Sequence, residues 1–332
     1  MPDNIFDVLD FVIMVHDGLV MARPPASDER ALLPVSRYKN RRTLCLDMDD
    51  TLILMLPDGS SFPNGMDDKL QPDTVVVSRE CPSERGLVYL RPYLRTFLEA
   101  VNKMFEVVVF TAACKDYADQ ILDFIDPENR LFHHRLYRDS CVECTPNPEV
   151  TDAKVYIKDL TLLGRDLSDV ILVDNSLQCF AYQLDGGVLC NPYKGNPLDD
   201  ELVSILEILT VVNRNPETDV SRIFRKMYGV SQIVSEYKAC GGRHGVKKAR
   251  DLSYISRGDY TTPNKNNARN EQKETPGHSY PHSTRPKGSR EREVRTPVDQ
   301  RGIPNQEVAD ISLKRRPSLV PSTRFRASLG GG

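Results

Sequence analysis

The chain has 332 residues, enough for one large or two ordinary domains with a substantial buried core. Residues 241–332 carry 19 Lys and Arg against 9 Asp and Glu, which leaves 25 against 38 in residues 1–240. The net charge is therefore −13 in the first 240 residues and +10 in the remainder, which disfavours direct nucleic-acid binding by the folded part.

The cysteines and the N-terminal apolar run indicate in which cellular compartment the protein folds. Eight cysteines are spread along the chain, several within apolar runs, which suits reduced thiols in an intracellular protein better than a disulfide framework. Cys141 and Cys144 form the one close pair, and without a second pair nearby we interpret them as ordinary thiols rather than zinc ligands. Because acidic residues and a histidine interrupt the apolar run from Ile5 to Met21, we predict no membrane span.

Hydrophobic periodicity predicts a helix and then a buried strand near the start of the chain. Residues 4–22 place apolar side chains at near-helical spacing, which favours an amphipathic helix packed on the domain over one packed on a partner. After a polar lead-in, Thr43 to Asp47 is predicted to be a strand that ends in three acids, Asp47, Asp49 and Asp50. Carboxylates so close repel one another and lose hydration unless a cation or basic side chain lies nearby.

The apolar patterns after the acidic turn predict alternating strands and helices. Residues 57–81 are rich in Gly, Pro, Ser and Asp and predict loops with a small hairpin beside the acidic turn. Strands are predicted at 87–90, 106–110, 132–137, 170–173 and 187–190, and helices at 91–103, 116–125, 199–212 and 220–237. Residues 138–152 are predicted to be irregular. Near-continuous apolar strands with helices between them indicate a mostly parallel, doubly wound α/β sheet.

Composition divides the chain into three predicted parts. Residues 1–42 form an N-terminal helix and lead-in, residues 43–240 a domain with C-terminal helices, and residues 241–332 a basic, disordered tail. Ser318 and Ser328 in the tail lie in sequences similar to those that basophilic kinases modify, so the tail is a candidate kinase substrate. A merely solvated tail is an equal interpretation, because short motifs are common in such sequence.

Polar residues fall at or beside the ends of the predicted strands. They are Asp47 with Asp49, Thr111, Lys158, and Asp174 with Asn175. Ligands of doubly wound sheets bind beyond the carboxyl ends of the strands, so we expect these side chains to meet at one site. Two carboxylates and a main-chain carbonyl suffice to bind Mg²⁺, while Lys158 and Thr111 would hold phosphate oxygens. The pattern therefore predicts phosphate chemistry with Mg²⁺ as the cofactor.

Phosphoester cleavage assigns separate roles to the two acids. Asp47, fixed at the strand end, can attack phosphorus and form an acyl-phosphate. Asp49, bound to the metal through its carbonyl alone, can protonate the leaving oxygen and then activate water.

Each of these residues also has a plainer interpretation. The acids could form a turn or a helix N-cap, and Lys158 could form a surface ion pair with Asp159 or Asp166. Thr111 and Asn175 could cap the elements beside them.

The motif Asp47-Met48-Asp49-Asp50-Thr51 resembles the first motif of the haloacid-dehalogenase (HAD) superfamily of phosphatases. Later clusters resemble the FCP/SCP family, the phosphatases of the RNA polymerase II C-terminal domain. Those clusters lie at 110–112, 138–141, 156–160, 163–167 and 173–176, and the matches run in order from about Thr43 to Pro192. The resemblance implies a HAD-like, Rossmannoid α/β fold with a small β insertion after the first strand and no large cap.

The resemblance also implies a Mg²⁺-dependent phosphoserine/phosphothreonine protein phosphatase. In that family pattern Asp47 is the nucleophile and Asp49 the acid/base. The phosphate ligands are Thr111, Ala112 and Lys158, and Asp174 and Asn175 join the two acids at the metal. Arg138 and Tyr117 resemble substrate-contacting positions, although a surface charge and a core aromatic residue are the plainer interpretations.

The length of the connecting segments bears on the substrate. Neither the segment from Asp47 to Thr111 nor the segment from Thr111 to Lys158 has room for a domain-sized lid, which favours a phosphorylated protein segment as substrate. Two alternatives stay open, a catalytically idle adaptor of the same fold that binds phosphorylated segments and a HAD phosphatase of small phosphorylated metabolites. Cys114 departs from the family pattern near the family's substrate-proline pocket. This departure counts against the polymerase tail as the substrate. We expect a nuclear or cytoplasmic location.

Overall fold

The structure, a computed structural model, describes residues 5–25, 31–38, 40–63, 66, 69–78, 84–146 and 154–242. The helices are α1 Ile5–His16, α2 Leu94–Met104, α3 Lys115–Ile125, α4 Glu201–Asn213, α5 Val220–Met227 and α6 Val230–Ala239. The strands are β1 Met21–Arg23, β2 Thr43–Leu46, β3 Ile53–Pro57, β4 Thr74–Val77, β5 Arg85–Leu90, β6 Glu106–Phe110, β7 His134–Leu136, β8 Val142–Thr145, β9 Val155–Ile157, β10 Val170–Asp174 and β11 Gly187–Leu189. The predicted basic tail lies outside the described residues from residue 243 onwards.

The central sheet has five parallel strands in the order β11-β10-β2-β6-β7. Every residue of β2, β6 and β10 is buried, because both faces of the sheet are covered. From β2 the chain moves outward through β6 to β7 and then returns to β10 on the other side of β2. The direction of winding thus reverses between β2 and β10, where doubly wound folds bind their ligands. This topology confirms the predicted fold class.

A small antiparallel sheet in the order β3-β5-β4 is inserted between β2 and α2. It confirms the predicted β insertion, although the sequence indicated a strand only near Val75 and at 87–90. The prediction missed β3, which begins immediately after the acidic turn and is five residues long. We call this unit the insertion sheet.

A second antiparallel sheet joins the N-terminal segment to the domain. β1 pairs with β8, and β8 pairs with β9. The prediction of an irregular segment from 138 to 152 was therefore wrong at β8 and at a short 3-10 helix, Arg138–Ser140. Cys141 and Cys144 are buried free thiols, and burial raises their pKa values to about 12 and about 11. This fits their interpretation as ordinary thiols.

The N- and C-terminal helices of the described region pack on each other. The rings of Phe6 on α1 and Tyr237 on α6 lie 6.0 Å apart, and the Tyr237 hydroxyl donates to Asp10 at 2.8 Å. The predicted single helix at 220–237 is two helices, because Gly229 adopts a left-handed conformation with φ 63° between them. None of the helices in the described ranges is long and apolar enough to cross a membrane.

A buried carboxylate lies at the amino end of the central sheet. Glu106, the first residue of β6, accepts hydrogen bonds from Arg165 Nε at 2.9 Å and Nη2 at 3.0 Å and from the Thr43 hydroxyl at 3.0 Å. His134 Nε2 lies 3.3 Å from the other carboxylate oxygen. Burial favours the neutral carboxyl, but the two bonds from Arg165 outweigh it and hold the pKa of Glu106 below its ordinary value. We call this group the amino-end cluster.

Candidate active site

The acidic turn begins where β2 leaves the ladder of the central sheet. The Asp47 amide donates to the Val173 carbonyl at 2.9 Å, so Asp47 is held beside the end of β10. The chain then turns sharply, because the Met48 carbonyl accepts from the amides of Leu52 and Ile53. Asp50 adopts φ 58°, a left-handed conformation that Asp tolerates better than most residues. The turn therefore leaves Asp47 and Asp49 at the carboxyl edge of the sheet.

Lys158 connects the two strand ends at the point where the winding reverses. Its Nζ donates to Asp47 Oδ1 at 2.6 Å and to Asp174 Oδ2 at 2.5 Å. Lys158 and Asp174 are each 1% exposed, and Asp47 is 7% exposed. The alternative of a surface ion pair between Lys158 and Asp159 or Asp166 was therefore wrong. Three of the clusters singled out in the sequence meet in one buried group.

The electrostatics of this group favour a positively charged ligand. Burial raises the pKa of Asp47 to about 7, and the neighbouring Asp174 carboxylate adds to the effect, while the Lys158 ammonium opposes it. Burial would favour neutral Lys158, but Asp174 and Asp47 outweigh it and raise the Lys158 pKa well above its usual value. Lys158 is therefore protonated. One ammonium serves two carboxylates, and Asp49 lies close by.

Tyr117 on α3 contacts the second acid of the motif. Its hydroxyl donates to Asp49 Oδ1 at 2.6 Å. Burial raises the pKa of the Asp49 carboxyl, and the bond from Tyr117 partly opposes this by favouring the carboxylate. The sequence resemblance implied that Tyr117 contacts the substrate, with a core aromatic as the alternative. The hydrogen bond to Asp49 was not anticipated by either interpretation.

The turn after β6 brings Thr111 to the same edge of the sheet. β2 and β6 are neighbouring parallel strands, in which Leu46 pairs with Val109. Asp47 and Thr111, which follow these strands, therefore lie at the same edge of the sheet. The Thr111 hydroxyl accepts from the Ala113 amide at 3.1 Å, which is the capping role considered for it, and the residue is 1% exposed. Arg138 donates from Nε to the Ala112 carbonyl at 2.7 Å, and its guanidinium lies 5.2 Å from the centre of the Tyr156 ring.

Asn175 connects β10 to the acidic turn. Its Oδ1 accepts from the Thr51 hydroxyl at 3.3 Å, while Asp174 Oδ1 accepts from the Ser176 amide at 2.8 Å. These bonds orient Asp174, since one of its oxygens is bound by the main chain and the other by Lys158.

The oxygen atoms at this edge suit a hard cation. Asp47 and Asp174 supply two carboxylates, and Asp49 can add its main-chain carbonyl. In the described ranges, no three His, Cys, Asp or Glu side chains are arranged to hold a metal by themselves. Mg²⁺ does not require such a group, because it is usually bound through one or two carboxylates and keeps several waters. The donor chemistry and the excess of negative charge therefore fit Mg²⁺.

A groove of about 820 Å³ adjoins the acidic turn and was not anticipated from the sequence. One wall is the insertion sheet, and the other is the start of α3 with Arg138. Its lining residues include Met55, Val76, Val77, Arg85, Gly86, Cys114, Lys115, Tyr117 and Gln120. Its two walls are far apart in the sequence, so periodicity could not bring them together. The one sequence signal for the groove was Cys114, which departs from the family pattern.

A family model described as NLI interacting factor-like phosphatase matches residues 42–221. CTD small phosphatase-like protein 3 of Caenorhabditis elegans is 35% identical over 240 residues, which cover 69% of this chain and 77% of that protein. CTD small phosphatase-like protein 2 of Dictyostelium discoideum is 33% identical over 206 residues, which cover 62% of this chain and 33% of that protein. The chain thus spans most of the first relative but only a third of the second.

A solved structure of Fcp1, an RNA polymerase II CTD phosphatase, also aligns with the chain. The alignment covers 64% of this chain and 68% of that chain, with 21% identity and a TM-score of 0.36. A score this low adds nothing to the fold assignment, which depends on the strand order described above.

Proposed function

Because the chain belongs to the NLI interacting factor-like phosphatases, which are protein phosphatases of the FCP/SCP type, we propose that it hydrolyses phosphoserine or phosphothreonine in a protein segment, with Mg²⁺ and through an aspartyl-phosphate. The observation that carries the proposal is the position of Lys158, between Asp47 and Asp174 and 2.6 and 2.5 Å from their oxygens. A buried ammonium at the carboxyl edge of the sheet, with acids on both sides, suits the binding and transfer of a phosphoryl group.

In the first half of the reaction, a carboxylate oxygen of Asp47 attacks phosphorus and the bond to the seryl or threonyl oxygen breaks. Protonated Asp49 gives its proton to that leaving oxygen, because an alkoxide is a poor leaving group. Burial, which raises the pKa of Asp49, makes the protonated form more available. The Tyr117 hydroxyl holds the Asp49 carboxyl in place at 2.6 Å.

In the second half, the Asp49 carboxylate takes a proton from water, and the resulting hydroxide attacks the phosphorus of the aspartyl-phosphate. The bond between phosphorus and the Asp47 oxygen breaks, which releases phosphate and restores both acids. Lys158, Thr111 and the Ala112 amide hold the phosphoryl oxygens throughout both steps. Asp47, Asp174, Asn175 and the Asp49 carbonyl would hold Mg²⁺, whose positive charge would offset the charge of the phosphoryl oxygens when bound.

The open groove beside Tyr117 favours a protein segment as the substrate. Within the described residues, the chain between β2 and β6 holds the insertion sheet and α2 but no domain-sized cover. The groove can take residues that flank the phosphorylated side chain, with Arg138 and Tyr117 available to contact them. The C-terminal domain of RNA polymerase II is one candidate substrate, and we expect the protein to act in the nucleus or the cytoplasm.

Turnover assays separate this proposal from its alternatives. Phosphopeptides with varied residues around phosphoserine would be compared with sugar phosphates, each with Mg²⁺ or with a chelator. We expect Mg²⁺-dependent release of phosphate from phosphopeptides and little from sugar phosphates, with Asp47→Asn as the inactive control. If the wild type matches Asp47→Asn on every substrate, the adaptor is favoured, whereas preference for sugar phosphates would favour the metabolite phosphatase.

A further inference from the structure

The side-chain amide of Gln120 pairs with the outer edge of the insertion sheet. The Val77 amide donates to Gln120 Oε1 at 3.1 Å, and Gln120 Nε2 donates to the Val77 carbonyl at 3.2 Å. β4 is an edge strand of that sheet, and β5 lies on its other side. The Gln120 amide thus bonds to both main-chain groups of one residue, as a neighbouring strand does. We call this pair the Gln120 clamp.

The clamp joins the two walls of the groove beside the acidic turn. Val77 belongs to the wall formed by the insertion sheet, and Gln120 belongs to the wall formed by α3. Gln120 Nε2 also donates to the Asp116 carbonyl of its own helix at 2.9 Å, which fixes the direction of the amide. Since a single ordered side chain makes these bonds, the entropic cost of ordering it is shared among them.

The same helix positions the second acid of the motif. Tyr117 and Gln120 are three residues apart on α3, and such residues lie on one face of a helix. Tyr117 bonds to Asp49, while Gln120 bonds to Val77. The clamp therefore fixes the groove wall relative to the helix that holds Asp49.

We propose that Gln120 is a positioning residue that sets the width of the groove and so determines how firmly the enzyme holds the residues flanking the phosphorylated side chain. This inference rests on the proposed function of the same site. A small phosphate ester occupies the carboxyl edge of the sheet alone and does not reach the clamp. A phosphopeptide lies in the groove and depends on the separation of its walls.

Gln120→Met and Gln120→Glu test the inference. Methionine keeps nearly the same length without polar groups, so it removes the hydrogen bonds with little change in packing. Glutamate still accepts from the Val77 amide but places a carboxylate against the Val77 carbonyl. Gln232→Met is the matched control, because Gln232 lies on α6 and its amide donates to Glu236. Each variant would be assayed with a phosphopeptide of about a dozen residues and with p-nitrophenyl phosphate.

We expect both Gln120 variants to raise the KM for the phosphopeptide by roughly 3- to 10-fold, the size expected for the loss of one or two hydrogen bonds. The kcat for the phosphopeptide and the kcat/KM for p-nitrophenyl phosphate should stay within about twofold of the wild type. Hydrogen exchange of the Val77 amide should become faster in Gln120→Met and change less in Gln120→Glu, because glutamate still accepts from that amide. Gln232→Met should change none of these quantities.

Three outcomes would overturn the inference in distinguishable ways. Equal losses of kcat/KM on the phosphopeptide and on p-nitrophenyl phosphate would show that Gln120 supports the fold and does not set the width of the groove. An unchanged KM for the phosphopeptide, together with faster hydrogen exchange of the Val77 amide, would show that the clamp exists but does not determine how firmly the groove holds the substrate. A wild type inactive on every phosphopeptide would overturn the proposed function, and this inference with it, before any variant is compared.

Discussion

Buried charges lie at both ends of the central sheet, and the two groups differ in how completely the protein neutralises them. At the carboxyl end, Lys158 is the one ammonium between Asp47 and Asp174, and Asp49 adds a third carboxyl group. At the amino end, Glu106 receives two bonds from the Arg165 guanidinium, and hydroxyl and imidazole groups lie against its oxygens.

This comparison indicates how the proposed catalytic cluster differs from a structural one. The carboxylate of the amino-end cluster is matched by a guanidinium, so that cluster needs nothing from outside the chain. The carboxyl-end group has more carboxyl groups than its one lysine can pair with, and in the proposed function it binds a cation and exchanges its partners during the reaction. Burial and shifted pKa values occur at both ends, and therefore neither is enough to identify an active site.

The largest expected difference between the two ends is in turnover. Asp47→Asn should lower phosphopeptide turnover by roughly a thousandfold or more, because an amide cannot attack phosphorus. Its stability should change little, because Lys158 keeps its bond to Asp174. Glu106→Gln is the matched change at the other end and should keep turnover per folded molecule within about threefold, since it touches no reacting group.

Steady-state assays combined with urea unfolding would measure both quantities. A loss of turnover in folded Glu106→Gln as large as that in Asp47→Asn would remove the distinction between the two ends.

The next effect concerns stability and its rescue. Arg165→Met leaves Glu106 buried without its cation and should lower the free energy of unfolding by about 3–5 kcal/mol. Lys158→Met leaves two buried acids together. It should lower the free energy of unfolding by a similar amount when a chelator removes divalent metal ions. Added Mg²⁺ should restore part of the stability of Lys158→Met, because a bound cation can offset those acids, but none of the stability of Arg165→Met.

Urea titrations of both variants with Mg²⁺ and with a chelator would test this. Equal rescue of the two variants by Mg²⁺ would mean that the ion acts generally and not at the carboxyl end.

The smallest expected effect is a pH dependence from the amino-end cluster. Glu106 has a pKa below its ordinary value in the folded protein, so the unfolded chain binds a proton there more readily. The stability that this carboxylate contributes is therefore present above its unfolded pKa and is lost as the pH falls through the folded pKa. Between about pH 5 and pH 3 the wild type should lose more stability than Glu106→Gln does.

Urea unfolding at closely spaced pH values would follow this loss in the two proteins. Parallel curves over that pH range would contradict the assignment of this acid sensitivity to Glu106.

The sequence could predict the parts of the site that follow long apolar runs. Asp47 and Asp174 each end such a run, so the parallel-sheet interpretation was enough to place them at one edge. The site roles assigned to these residues remain predictions. The short strands β3 and β8 were missed, because five and four residues carry little periodicity against flanking polar sequence. Gly229 did carry a signal, since a glycine within a helical pattern often marks its end.

Contacts that depend on side chains from distant segments could not be predicted. The bond from Tyr117 to Asp49 and the Gln120 clamp each join residues more than forty positions apart. The contact between Glu106 and Arg165 joins the start of β6 to a bend 59 residues later, and the sequence carries no sign that these two side chains meet. Such contacts become visible only when the strand order is known.

The position of β2 in the centre of the sheet also governs how the chain can assemble. β2 pairs with β6, which follows soon after it, and with β10, which is synthesised much later. A nascent chain that has reached only α3 already contains Asp47 and Asp49 but lacks Lys158. Loop closure over such a separation is slow compared with local pairing. On the ribosome, the carboxyl end of the sheet is therefore completed only after β10 has emerged, and the emerging chain passes through a stage in which Asp47 and Asp49 lack the ammonium of Lys158.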